Sequence, residues 1–296
     1  MQYSGELSAI LTAVLWSGTS FAFASGSRRI GPIQTNVDRL IIAAFFLIST
    51  VSIFNLSFNL SLNQFTFLII SGIIGLVIGD TFLFKAFQLI GARLSMLLMA
   101  LSPAMSALFA FIFLGEELSA WAILGIVITL SGISLVVLEK EHGTVKKYKI
   151  SGFGLFCGFM GALGQAAGLI LAKFAFQEGE IDKFVATLVR ITSSVVVIVP
   201  MMLVLKKYKS PFEIYKKDMI GLGSILIGTI LGPFLGITFS LIAIDNTKVG
   251  IAATLMSTMP IIMLPMSKYM FKETLGWRAI SGAVLAVAGI AILFVR

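Results

Sequence analysis

The chain of 296 residues is 58% hydrophobic and only 12% charged, against roughly 45–50% and about 25% in soluble domains, so it lacks the polar surface to cover itself in water. Its one cysteine, Cys157, leaves no internal disulfide, and its one histidine, His142, leaves no His/Cys set at metal-ligand spacing; no cofactor and no metal are expected. The net charge of +8 is spread over short loops with no groove-reading module, which argues against nucleic acid as a partner.

The apolar residues arrive in blocks of about 20, the length a helix needs to cross a hydrocarbon core of roughly 30 Å. No Lys/Arg-rich segment or small-residue cleavage site precedes the first block, so it reads as a retained helix and not as a signal peptide. Ten spans are predicted, at 5 to 25, 33 to 54, 65 to 87, 92 to 114, 119 to 138, 151 to 176, 182 to 205, 218 to 243, 249 to 271 and 276 to 295. Short polar stretches connect them, two of them basic: EKEHGTVKKYK at 139 to 149 and KKYKSPFEIYKK at 206 to 217. Sorting Lys and Arg over alternate loops puts sixteen on one side and four on the other, with Arg39 and Arg190 inside spans. The positive-inside rule then places the basic side in the cytoplasm and both termini outside it, in a cell or inner membrane. Lipids are one partner by this reading.

A shift of 157 residues lays 92 to 138 over 249 to 295 without gaps. It matches Leu98 with Leu255, Met99 with Met256, Pro103 with Pro260, Glu116 with Glu273, Gly125 with Gly282 and Gly132 with Gly289. Upstream, other offsets pair Gly75 and Gly79 with Gly228 and Gly232, and Arg39 with Arg190. The chain divides into a first five-helix repeat at 1–138, a basic linker at 139–150 and a second repeat at 151–296. An odd number of spans per copy makes the second enter the membrane from the opposite side, so the expected fold is an all-α integral membrane protein of two inverted-topology five-helix repeats.

The segments ALSPAMSALFAFIFLGEELSAWAILGIVITLSGISLVV at 100 to 137 and TLMSTMPIIMLPMSKYMFKETLGWRAISGAVLAVAGIAIL at 254 to 293 resemble the ten-helix proteins of the drug/metabolite transporter superfamily that carry two EamA-type repeats. The resemblance covers nearly the whole chain. It implies a central cavity on the pseudo-twofold axis, reached alternately from the two sides, and export or exchange of small metabolites, amino acids or drugs. It does not name a substrate.

Asp80, in GLVIGDTFLFKAF, falls well inside the third span, where an unpaired carboxylate costs about 2.5–3.5 kcal/mol on insertion scales. It either binds a proton or a substrate amine, or pairs with Lys85 or Arg39, or caps a break near Gly79. Arg39 and Arg190 occupy equivalent places in the two halves. They either recognise carboxylates or phosphates in bidentate fashion, or snorkel to the interface and tie helix ends, with Asp38 as the partner of Arg39. Trp16 and Ser17 in LWSGTS and Gln165 in ALGQAAG lie midway along the first helix of each half, where a cavity lining and ordinary packing are both open readings. Pro103 and Pro260 are expected to kink or hinge their spans, and Glu116 and Glu273 to favour the positive end of the helix that follows each. Gly72, Gly75 and Gly79 run along one helix face, as packing glycines do.

The chain holds no GxxxxGK[ST] loop, so a transporter of this kind draws on a gradient, with protons as the candidate coupling ion and Asp80 as the candidate carrier. The competing readings are a membrane-embedded enzyme and a flippase acting on a lipid-linked substrate. Against the enzyme, the acids fall mostly in loops and form no nucleophile–base or paired-carboxylate set. A monomer and a homodimer are equally compatible with the sequence.

Overall fold

A computed structural model describes residues 3–99, 101–138, 151–259, 261–262 and 276–294; the basic linker with His142, and also Pro260 and Glu273, lie outside the described residues. Every regular element among them is helical. In the first half these are α1 (Ser4–Ile30), α2 (Pro32–Ile53), α3 (Leu62–Gly72), a π-helical segment (Ile73–Gly79), α4 (Asp80–Met99), α5 (Ser102–Leu114) and α6 (Ala120–Leu138). The second half has α7 (Gly152–Gln177), α8 (Lys183–Val204), a short α9 (Pro211–Tyr215), α10 (Met219–Thr229), a second π-helical segment (Ile230–Gly236), α11 (Ile237–Asn246), α12 (Val249–Met256) and α13 (Trp277–Phe294). Six described helices are long and apolar enough to cross a membrane, and Ser102–Leu114, Ala120–Leu135 and Ile280–Ile292 are shorter apolar helices. Phe45, Ile48, Phe111, Ile112, Trp121, Val196 and Val284 are exposed around the bundle, as side chains facing lipid are. This is a multi-pass membrane protein.

The ends of the helices follow from local chemistry. Ser61 and Gln64 form a reciprocal capping box at the start of α3, and the Asp182 and Asp218 side chains accept first-turn N–H groups of α8 and α10; each satisfies donors that the helix leaves unpaired. Gly115, at φ 64°, ends α5 in the left-handed region, where a Cβ would be strained.

The packing repeats across the two halves. α1 lies along α10, the second π segment and α11, while α7 lies along α3, the first π segment and α4. α2 packs on α8, α5 on α12 and α6 on α13. The first helix of each half thus rests on the third span of the other, and the remaining spans pair with their own counterparts, the arrangement a pseudo-twofold axis produces. The π segments fix the register: Ile230 and Gly236 lie 157 residues beyond Ile73 and Gly79. The offset seen near the C-terminal ends therefore extends upstream, and Gly75 and Gly79 correspond to Gly232 and Gly236, not to Gly228 and Gly232. Glycines let these helices meet backbone to backbone: a Cβ on Gly164 would sit 2.7 Å from Gly79 Cα, and one on Gly168 would sit 3.1 Å from Gly75 Cα.

The boundary between the third and fourth spans differs from expectation. The predicted connection at 88 to 91 is helical, and α4 continues unbroken to Met99. This stretch contains no proline, and Gly91 inside a helix costs only about 1 kcal/mol. The break falls instead between Met99 and Ser102, so Pro103 sits in the first turn of α5 and does not bend a continuous helix; its missing N–H is one that a first turn leaves unpaired anyway.

Candidate functional site

α2 and α8 begin at opposite ends of the bundle. Near the start of α2, Gln34 reaches Lys209, whereas the start of α8 is tied by Lys183 to Asp245 at 2.7 Å. Arg39 and Arg190 each lie seven residues into their helix, about 10 Å along it at 1.5 Å per residue. The two therefore approach the middle of the protein from opposite directions.

Asp80, the first residue of α4 after the π segment, pairs with Arg39 and lies within electrostatic reach of Arg190. Arg39 Nη2 forms an ion pair with Asp80 Oδ2, and Arg39 Nε donates to Asn36 Oδ1 at 2.9 Å. The Arg39 guanidinium also lies 5.6 Å from the centre of the Phe23 ring and 5.3 Å from that of Phe84, within cation–π range. The side chains of Arg39 and Asp80 keep 12% and 15% of their surface exposed. Asp38, the neighbour expected to hold Arg39, does not: adjacent residues of a helix point apart, whereas Asn36, three residues earlier, shares its face.

Arg190 is 3% exposed, which excludes a snorkelling role. Its Nε has no hydrogen-bond partner, and among the described residues it forms no ion pair. It interacts with Asp80 only through space. A Cβ on Gly75 would lie 3.5 Å from Arg190 Nη2, and one on Gly72 would lie 2.3 Å from the Arg190 carbonyl oxygen, so the π segment and α3 run directly beneath this arginine. Two guanidinium groups that stay charged at any working pH thus share one carboxylate, and the centre carries an excess positive charge.

The other sequence candidates surround this centre. Trp16 lies against Gly236, where a Cβ would sit 2.5 Å from the indole Nε1. Gln165 is half-buried on α7, next to the Gly164 that packs on Gly79. The first helix of each half therefore places a candidate beside the end of the other half's π segment. Ser17 is fully buried and bonds to the carbonyls of Ala13 at 2.7 Å and Met259 at 3.3 Å, linking α1 to the chain just before Pro260.

Two polar networks close the ends of the bundle. At the basic end, the buried Asp38 carboxylate accepts from Tyr208 Oη at 2.8 Å, Tyr215 Oη at 2.5 Å and Gln34 Nε2 at 3.1 Å. Burial, followed by the bond to Asp38 and its charge, pushes both phenols well above the usual tyrosine range. At the opposite end, Lys173 Nζ donates to the carbonyls of Ile244 at 2.5 Å and Asp245 at 3.2 Å. Here Glu116 Oε2 accepts the Val249 N–H at 2.8 Å, so Glu116 caps α12 of the other half, not the helix that follows it. A cleft of about 320 Å³ adjoins Glu116, Lys173 and Lys248, and one of about 240 Å³ adjoins Gln34, Lys207 and Lys209. α1 runs from one to the other, with Glu6 bonded to Thr247 at one end and Ile30 lining the cleft at the other. Arg39, Asp80 and Arg190 line neither cleft.

Comparison with known proteins agrees with this architecture. No single curated protein matches the chain in sequence. A crystal structure of another protein superposes with a TM-score of 0.81 at 16% identity, over 100% of this chain and 98% of that one, and so shares the fold. The profile of the EamA-like transporter family, a family of membrane transporters, matches twice, at residues 3–138 and 152–295. The chain belongs to the EamA-like transporter family.

Proposed function

We propose that the protein is a secondary transporter that exports or exchanges small metabolites, amino acids or amphipathic compounds among them, by alternating access to the Arg39–Asp80–Arg190 centre. The observation that carries this reading is a largely buried charged group where the two halves converge, with a cleft at each end of the bundle that these three residues do not line. Inside a membrane such charges are costly, and they recur where ions or substrates pass. Two halves related by a pseudo-twofold axis can rock about the centre and expose it to one cleft or the other.

Asp80 is the proposed proton carrier. Arg39 faces it from α2 and Arg190 from α8, and Lys85 follows on its own helix; the only charged residue of α7 is Lys173 near its far end, and α6 carries none. Protonation of Asp80 releases Arg39, so a proton and a change of partner at Arg39 are coupled. Because Arg39 already occupies Asp80, the pairing favours this reading over capture of a substrate amine by Asp80. The basic end, with Arg29, Lys207 and Lys209, is the proposed cytoplasmic face of a cell or inner membrane.

The test is solute movement in proteoliposomes loaded with a pool of amino acids and amphipathic metabolites, with and without a pH gradient, for the parent and Asp80→Asn. Gradient-driven movement that is lost in Asp80→Asn is the expected result. Equal movement in both proteins removes Asp80 from coupling, and no movement of any solute by folded protein overturns the transport reading.

A further inference from the structure

The pseudo-twofold axis relates Arg39 to Arg190, and the register of the π segments relates Asp80 to Ile237 and Thr81 to Thr238. The surroundings correspond as well. α8 packs on α11 as α2 packs on α4. Thr187, at the position matching Asn36, lies with its hydroxyl 3.1 Å from that of Thr238, so the helix turn that carries Arg190 faces the turn that carries Ile237. The two sites differ in the partners they offer the arginine. Where Asp80 pairs with Arg39 the corresponding residue is Ile237, which is 8% exposed, and where Asn36 accepts from Arg39 Nε the corresponding residue is Thr187, whose hydroxyl donates to the Lys183 carbonyl, so Arg190 Nε is left without a partner.

A buried guanidinium that forms no ion pair among the described residues and shares its counter-charge with a second guanidinium is costly unless something supplies another. Building on the transport reading, we infer that the cargo carries a carboxylate that takes the place of the acid missing at position 237 and pairs with Arg190. Arginine's planar fork matches a carboxylate in a bidentate pair. The Trp16 indole lies against Gly236, one residue before Ile237, and so offers an apolar surface beside the carboxylate. The two arginines then hold two carboxylates, Asp80 from the protein and one from the cargo, and the centre is neutral only when loaded.

The experiment uses the full chain in proteoliposomes and follows the uptake of three pools: monocarboxylates with α-amino acids, the matched amides with amines, and organic phosphates. The parent is compared with Ile237→Asp, which installs the missing acid, with Ile237→Asn, which has the same shape without the charge, and with Arg190→Lys, which keeps the charge but loses the fork. Gel filtration confirms that each variant is folded. Carboxylates are expected to move, with apparent affinity about ten- to a hundredfold weaker in Ile237→Asp and Arg190→Lys, the range set by the loss of a charge-assisted pair, and with Ile237→Asn within about threefold of the parent on that scale. Equal affinities in Ile237→Asp and Ile237→Asn overturn the inference, as does movement of amines, amides or phosphates in place of carboxylates; in the latter case the transport reading stands. If folded parent protein moves no pool, the transport reading fails and takes this inference with it.

Discussion

Gly72 is the position at which the packing beneath Arg190 is tested most sharply. An alanine Cβ there would lie 2.3 Å from the Arg190 carbonyl oxygen and 2.8 Å from Ser193 Oγ. Ordinary contact begins near 3.4 Å, so α3 and α8 must separate by about 1 Å in a densely packed interior. Overpacking of this kind costs about 1–3 kcal/mol, and the upper end applies because the obstacle is backbone. Alanine recovers about 1 kcal/mol of helix propensity, leaving a net loss of about 2 kcal/mol for Gly72→Ala. Gly223, on α10, is the control: a Cβ there meets nothing within 4 Å, so Gly223→Ala keeps the propensity gain of up to about 1 kcal/mol. The pair should differ by about 3 kcal/mol in thermal denaturation followed in detergent, with Gly72→Ala melting first. Gly72→Ala as stable as Gly223→Ala would refute the close approach of α3 to α8 and, with it, the placement of Arg190.

Breaking the central ion pair from one side strands a buried charge, so Arg39→Gln and Asp80→Asn should each lose about 3–5 kcal/mol, whereas the double variant loses less than the sum of the two; thermal melts in a double-mutant cycle measure this. At the basic end, the raised phenols of Tyr208 and Tyr215 should leave two of the five tyrosines silent in an ultraviolet titration through the normal phenolate range, and the delayed component should disappear in the Tyr208→Phe/Tyr215→Phe variant. Because both folded-state values are raised, the stability they contribute is complete below the unfolded tyrosine value and declines only as pH climbs toward the folded ones. Asp218 accepts from Arg29 at 3.1 Å and from Gly221 N–H at 2.8 Å, the latter the larger cause of its lowered pKa. Asp218→Ala, which removes a helix cap, should therefore lower the melting temperature more than Arg29→Ala, which removes an exposed pair.

Composition and the repeat of proline, glutamate and glycine made the membrane fold legible, and the equivalent places of Arg39 and Arg190 in the two halves were readable as well. The register of the third spans was not legible, for a simple reason. Glycines recur every four residues at Gly228, Gly232 and Gly236, so a slip of one helical turn still matched glycine with glycine, and the π segments were needed to choose. Arg39 appeared among the possible partners of Asp80, because a carboxylate inside a span must find a cation, but which cation depends on how α2 crosses α4. Asn36, Phe23 and Phe84 were missed; Asn36 was readable as an i−3 neighbour, whereas the two rings come from α1 and α4 and required tertiary structure. The Asp38–Tyr208–Tyr215 network joins residues 170 or more apart in sequence, and no local pattern announces it. Glu116 was expected to serve the next helix in the chain, but the inverted packing brings α12 of the other half closer.

The central claim is that the charged centre opens to each side in turn. Its most direct test is side-specific labelling at Phe84, whose ring lies 5.3 Å from the Arg39 guanidinium, using Phe84→Cys in a Cys157→Ser background and a membrane-impermeant maleimide applied from one side of the vesicle or the other. Labelling from both sides, with one rate rising as the other falls when the cargo gradient is reversed, is the predicted result. Labelling from one side alone under every gradient would contradict alternating access.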